Sequence, residues 1–154
     1  MSDILEQTNE KLVIRKWIAA SREEVFAAWT DPKSIRRWMC PGDVIFTEAK
    51  MDFRVGGLFR IVMKGEKRDF DHSGEYKVIE APSRLSFTWI SQGTDLKTTL
   101  VTIELLERDQ GTELTLTHEH LPSADRVDRH TRGWAQIADL LAGHVSRDKA
   151  QTAS

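Results

Sequence analysis

The chain predicts an α+β domain in which a curved, seven-stranded antiparallel sheet grips a long C-terminal helix, with two short helices after the first strand. Three observations carry that expectation. Hydrophobic periodicity changes from helical to alternating at Asp43 and stays alternating as far as His120. The breaks inside that stretch, among them Gly65-Glu66-Lys67 and Arg108-Asp109-Gln110-Gly111, are hairpin-sized and too short for the crossovers a parallel sheet needs. From Pro122 onward a single apolar stripe, Val127, His130, Thr131, Trp134, Ile137, Ala138, Leu141 and Val145, recurs at the ~100° step of an α-helix.

Residues 11–19 (KLVIRKWIA) read as the first strand, with apolar residues on both parities. Ser21-Arg22-Glu23-Glu24 then matches a capping box, which starts a short helix through Val25, Phe26 and Trp29. Asp31 followed by Pro32 opens a second short helix through Ile35, Trp38 and Met39, and Cys40-Pro41-Gly42 ends it. Strands are expected at 44–49, 57–64, 69–79, 84–90, 97–107 and 112–120. Each has a more apolar parity: Phe59, Ile61 and Met63; Phe70, Tyr76 and Val78; Leu85, Phe87 and Trp89; Val101, Ile103 and Leu105; Leu114 and Leu116. Those rows are expected to line the concave side of the sheet. Ser123 is the expected N-cap of the last helix, and Gly133 within it implies that something packs there too closely for a Cβ.

A length of 154 residues with 40% hydrophobic content fits one domain, expected at 11–146, with 1–10 and 147–154 as flexible tails. The 24 acidic and 22 basic side chains are interspersed and sum to a formal charge of -2, which leaves no electrostatic footprint for nucleic acid or an anionic membrane. One cysteine cannot form an internal bridge, no apolar run reaches the ~20 residues of a membrane span, and the polar start has no signal-peptide core. The cytoplasm is the expected compartment.

Several motifs, in order, resemble one family. Val25-Phe26-Ala27-Ala28-Trp29-Thr30-Asp31-Pro32, Trp38-Met39-Cys40-Pro41, Met51-Asp52-Phe53-Arg54-Val55-Gly56-Gly57, Gly74-Glu75-Tyr76-Lys77-Val78-Ile79, Arg84-Leu85-Ser86-Phe87-Thr88-Trp89 and Gly133-Trp134 are similar to signatures of SRPBCC proteins. Within that START-like and birch-pollen-allergen-like superfamily they resemble the activator of heat-shock-protein-90 ATPase homologue family, over about residues 11–145. Ser21 and Met39 depart from the family's usual Pro and Trp. The resemblance implies a helix-grip fold with an internal cavity, without implying one activity.

A twisted sheet does not close fully on a helix, so the gap between them is the expected site for a small hydrophobic or aromatic molecule. Parity and helical phase select Trp38, Phe59, Met63, Phe70, Tyr76, Phe87, Trp89, His118, His130 and Trp134 as its contacts, Trp38 standing at the entrance. His118-x-His120 places two imidazoles on one strand face, and His72 or His130 would have to supply a third metal ligand. No carboxylate or cysteine is spaced to finish such a site. No metal, cofactor or catalytic residue is therefore assigned. Arg54 is read as tied to Asp52, Glu75 as solvent-facing, and Cys40 as a thiol without an adjacent base. Two other functions stay open: a co-chaperone-like interaction domain with a chaperone partner, and an enzyme of cyclase or hydrolase type using a pocket histidine on a polyketide-like substrate. A free sheet edge leaves both a monomer and a homodimer open.

Overall fold

The computed structural model describes the backbone of residues 10–153 and the side chains of residues 10–146. Seven strands, β1 (Glu10–Ile18), β2 (Val44–Met51), β3 (Leu58–Gly65), β4 (Asp69–Glu80), β5 (Arg84–Trp89), β6 (Thr99–Arg108) and β7 (Gly111–Leu121), form one sheet. Their order is β1-β7-β6-β5-β4-β3-β2, antiparallel at every pairing. From β2 to β7 each strand simply folds back beside its predecessor, as the short breaks require. Helices α1 (Arg22–Thr30) and α2 (Pro32–Trp38) follow β1, a single 3-10 turn (Gln92–Thr94) follows β5, and α3 (Ala124–Ala153) closes the chain. The helix-grip expectation holds in all its elements.

The local signals act as chemistry requires. Glu24 N–H donates to Ser21 Oγ and Ser21 N–H donates to Glu24 Oε1, both at 3.1 Å, so two backbone donors at the start of α1 are satisfied reciprocally. Asp31 ends α1 and caps α2 in one residue, accepting from Lys33 N–H at 3.0 Å. Ser123 Oγ accepts from Arg126 N–H at 3.3 Å at the head of α3. One boundary differs: α3 is helical as far as Ala153, through most of the tail expected at 147–154, while residues 1–9 of the tail expected at 1–10 and Ser154 lie outside the described residues. No helix among the described residues is long and apolar enough to cross a membrane.

The concave face carries the core. Ile61, Met63, Leu85, Phe87, Trp89, Val101, Ile103, Leu105, Leu114 and Leu116 are buried, and α3 packs on them through Trp134, Ile137, Leu141 and Val145. Register shows what happens along one strand pair. Concave rungs of β3 and β4 place Met63 beside Phe70, Ile61 beside His72 and Phe59 beside Gly74. At the Phe59 end, α1 and α2 plug the space below the sheet. Trp29 and Trp38 meet edge to face at 4.9 Å there. At the Met63 end nothing from α1 or α2 fills it, and the fold is left open.

Candidate functional site

The open end is a cleft of about 1010 Å³ between α3 and the ends of β3, β4 and β5. Its floor is aromatic. The indoles of Trp89 and Trp134 sit 5.1 Å apart, and the His72 imidazole stacks on Trp89 at 4.6 Å with 29° between the planes. Met63 and Phe70 wall one side, His130, Gly133 and Ile137 of α3 the other, and residues 91–93 with Leu96 form a lip from the β5–β6 connection. Phe70 remains 37% exposed, with the Arg68 guanidinium 4.6 Å above its ring.

Behind the floor, a buried relay ties the Trp134 indole to the Trp89 backbone. Trp134 Nε1–H donates to His118 Nδ1 at 2.9 Å. That nitrogen must accept, so the proton of a neutral imidazole sits on Nε2, which donates to Thr99 Oγ1 at 2.7 Å. The Thr99 hydroxyl in turn donates to the Trp89 carbonyl. Every donor thus has an acceptor, and the relay spans α3, β7, β6 and β5. Burial, aided by the nearby His130, pulls His118 down to about 3, so near neutral pH the ring is uncharged as the relay demands. His72 is held down to about 4, chiefly by burial, and burial likewise lowers His130.

The cleft's charges are mostly paired. Arg60 meets Asp71 through two hydrogen bonds of 3.0 and 2.7 Å, which hold the Asp71 carboxyl below its usual range. Arg126 pairs with Asp95 at 2.8 Å and Arg129 with Asp125 at 3.1 Å. Neutral imidazoles on an apolar floor can orient a ligand by accepting hydrogen bonds or take up a proton from one.

The family model of the Activator of Hsp90 ATPase homolog 1-like protein matches residues 19–146. The chain belongs to this family. Solved structures agree. An AHSA1-like protein from Aeromonas hydrophila is 27% identical over 91% of this chain and 94% of its own, with a TM-score of 0.74. CalU16 from Micromonospora echinospora is 29% identical over 93% of this chain and 80% of its own, at 0.69. A Staphylococcus aureus protein of unknown function, SA2116, shares the fold alone: 18% identity, 95% and 99% coverage, TM-score 0.80. No curated sequence matches the chain.

In this Activator of Hsp90 ATPase homolog 1-like domain, the ten residues selected from sequence divide. Met63, Phe70, Trp89, His130 and Trp134 come together in the cleft. Phe59, Tyr76 and Phe87 do not; they surround a void of only about 10 Å³ at the plugged end, with Trp29 and Met39. Trp38 is no entrance residue: it is 2% exposed, and its Nε1–H donates to the Ala28 carbonyl at 3.1 Å inside the core. His118 stands behind the floor with both ring nitrogens engaged, which makes it a support for Trp134 rather than a contact. His120 points to solvent, because its positive φ of 68° breaks the alternation and hands the inward position to Leu121, so the His118-x-His120 pair never forms on one face. No group of three metal-ligating side chains is poised for a metal among the described residues.

Gly133 reverses its expectation. A Cβ there would meet nothing within 4 Å. The missing side chain leaves room in the cleft instead of accommodating a close neighbour. Sequence reasoning also passed over the lip at 91–96, whose only signal was a break between strands, and used His72 only as a possible metal ligand. Arg54 does pair with Asp52, Nε to Oδ2 at 2.9 Å, away from the cleft.

Proposed function

We propose that this domain binds a small aromatic or hydrophobic molecule in the cleft between α3 and the ends of β3, β4 and β5. The observation that carries the reading is a preformed cleft of about 1010 Å³ whose floor is two indoles and a stacked imidazole. Gly133 supports it. A glycine inside a helix costs about 1 kcal/mol relative to alanine, and here no neighbour requires it. A cavity that must stay open accounts for that cost.

Trp89 and Trp134 report on the cleft directly. Titration of the full chain with aromatic, fatty-acid and polyketide-like compounds should give saturable quenching for one chemical class, with a raised melting temperature. A ligand at 100 times its Kd adds about 2.7 kcal/mol. Gly133→Leu, which projects a side chain into the empty space, should weaken that binding at least tenfold in a protein that still unfolds cooperatively. A flat response from a folded protein across the whole panel would overturn the reading and favour a protein partner. Turnover of a bound compound would extend it to an enzyme.

A further inference from the structure

The two imidazoles of the cleft, His72 in the floor and His130 in the α3 wall, are presented in the same way. His72 on β4 and His130 on α3 each hold Nδ1 against a backbone carbonyl, that of Ile61 at 3.2 Å and that of Arg126 at 2.8 Å. A carbonyl only accepts, so Nδ1 carries the proton in both neutral rings and Nε2 keeps a lone pair. No donor among the described residues engages either Nε2. Gly93 helps to keep the one on His130 accessible: a Cβ there would stand 3.2 Å from Cε1 and 3.3 Å from Nε2.

The positive charges nearby are largely spent. Arg60, Arg126 and Arg129 are each held by an aspartate, and Arg68 lies over Phe70 on the exposed rim. A carboxylate placed on the aromatic floor would therefore face two lone pairs. A hydroxyl or N–H would find acceptors already oriented. Resting on the binding reading above, we propose that His72 and His130 are specificity-determining residues that select a neutral aromatic ligand bearing a hydrogen-bond donor, a phenol or an aromatic amine, over an aromatic carboxylate or a donor-free analogue.

Three probes with one ring system separate the possibilities: 2-naphthol, 2-methoxynaphthalene and 2-naphthoate, titrated into the full chain near neutral pH with indole fluorescence as the readout. The naphthol should bind about tenfold more tightly than either of the others, the value of one well-placed neutral hydrogen bond. The double variant His72→Phe/His130→Phe keeps two flat rings and removes both acceptors. It should bring naphthol to the affinity that methoxynaphthalene shows for the same variant, and saturable methoxynaphthalene binding by that variant shows that the cleft still forms. Equal affinities for naphthol and its methyl ether, or tightest binding by naphthoate, would overturn the selection and leave aromatic binding standing. Absence of binding by all three in a folded protein would remove the binding reading and the selection with it.

Discussion

The two ends of the concave face are made from the same strands and aromatic residue types, yet one is solid and the other open. At the plugged end, Phe59, Tyr76 and Phe87 are met by Trp29 and Met39, and about 10 Å³ is left over. At the open end, Met63, Phe70 and Trp89 face α3, the 91–96 lip and residues 41–44 across about 1010 Å³, with no part of α1 or α2 in the lining. Neither parity nor residue type distinguishes them. The difference is whether α1 and α2 reach that far, so the site is defined by what is missing above it. An aromatic lining is thus a poor guide to a pocket unless the covering elements are known.

The largest expected effect that tests this contrast lies at the plugged end. Trp38→Ala should cost about 3–5 kcal/mol in urea unfolding, since it opens a hole that neighbouring rings cannot refill. A cost near 1 kcal/mol would mean that the plugged end is as loosely held as the open one.

Acid sharpens the contrast at the floor between them. His118 has a folded value near 3 against an ordinary 6.5, so between those limits the unfolded chain binds a proton that the folded chain refuses. Stability should therefore fall as pH drops through that window, by on the order of 3 kcal/mol at pH 4 from His118 alone. His72 acts in the same direction down to about 4. Urea midpoints from pH 7 to 4 measure the slope, and His118→Gln should flatten it. An unchanged slope in that variant would place the acid sensitivity elsewhere.

Smaller effects belong to the open end. Gly133→Ala should raise stability by up to about 1 kcal/mol, or roughly 2–4 °C in Tm, because helix propensity improves and nothing is hit. A loss of stability would mean that the space is filled after all. Phe70→Ala should lower stability by about 1–2 kcal/mol, less than Trp38→Ala because the residue is already 37% exposed, while weakening an aromatic ligand. Calorimetry that found equal losses for Phe70→Ala and Trp38→Ala would erase the distinction.

The fold was legible because its signals are local. The capping box at Ser21, the Asp31-Pro32 start and the alternation across five hairpins each depend on a few neighbouring residues. The site was half legible for a physical reason. Period-two alternation tells which face a side chain joins and says nothing of where along the strand the cover stops. Alternation therefore does not separate an entrance from the plug to which Trp38 belongs. Alternation turns His118 inward, but its role depends on Thr99 and Trp134, partners 19 and 16 residues away. Gly133 misleads in sequence, which shows a missing side chain without showing whether its place is occupied. The final turns of α3 lack the apolar stripe of residues 127–145, so periodicity could not extend it to Ala153.

The strand order has a consequence in time. β1 is synthesised before every other element described, yet its sheet neighbour is β7, and the Thr112 hydroxyl that holds the Ala20 carbonyl arrives 92 residues later. At about 5–20 residues per second, that is a wait of roughly 5–20 s on the ribosome. Through that interval Leu12, Trp17 and Ile18 have no sheet to join. The sheet can grow from β2 through β7 by successive hairpins, but β1, made before them, is the last strand to be paired.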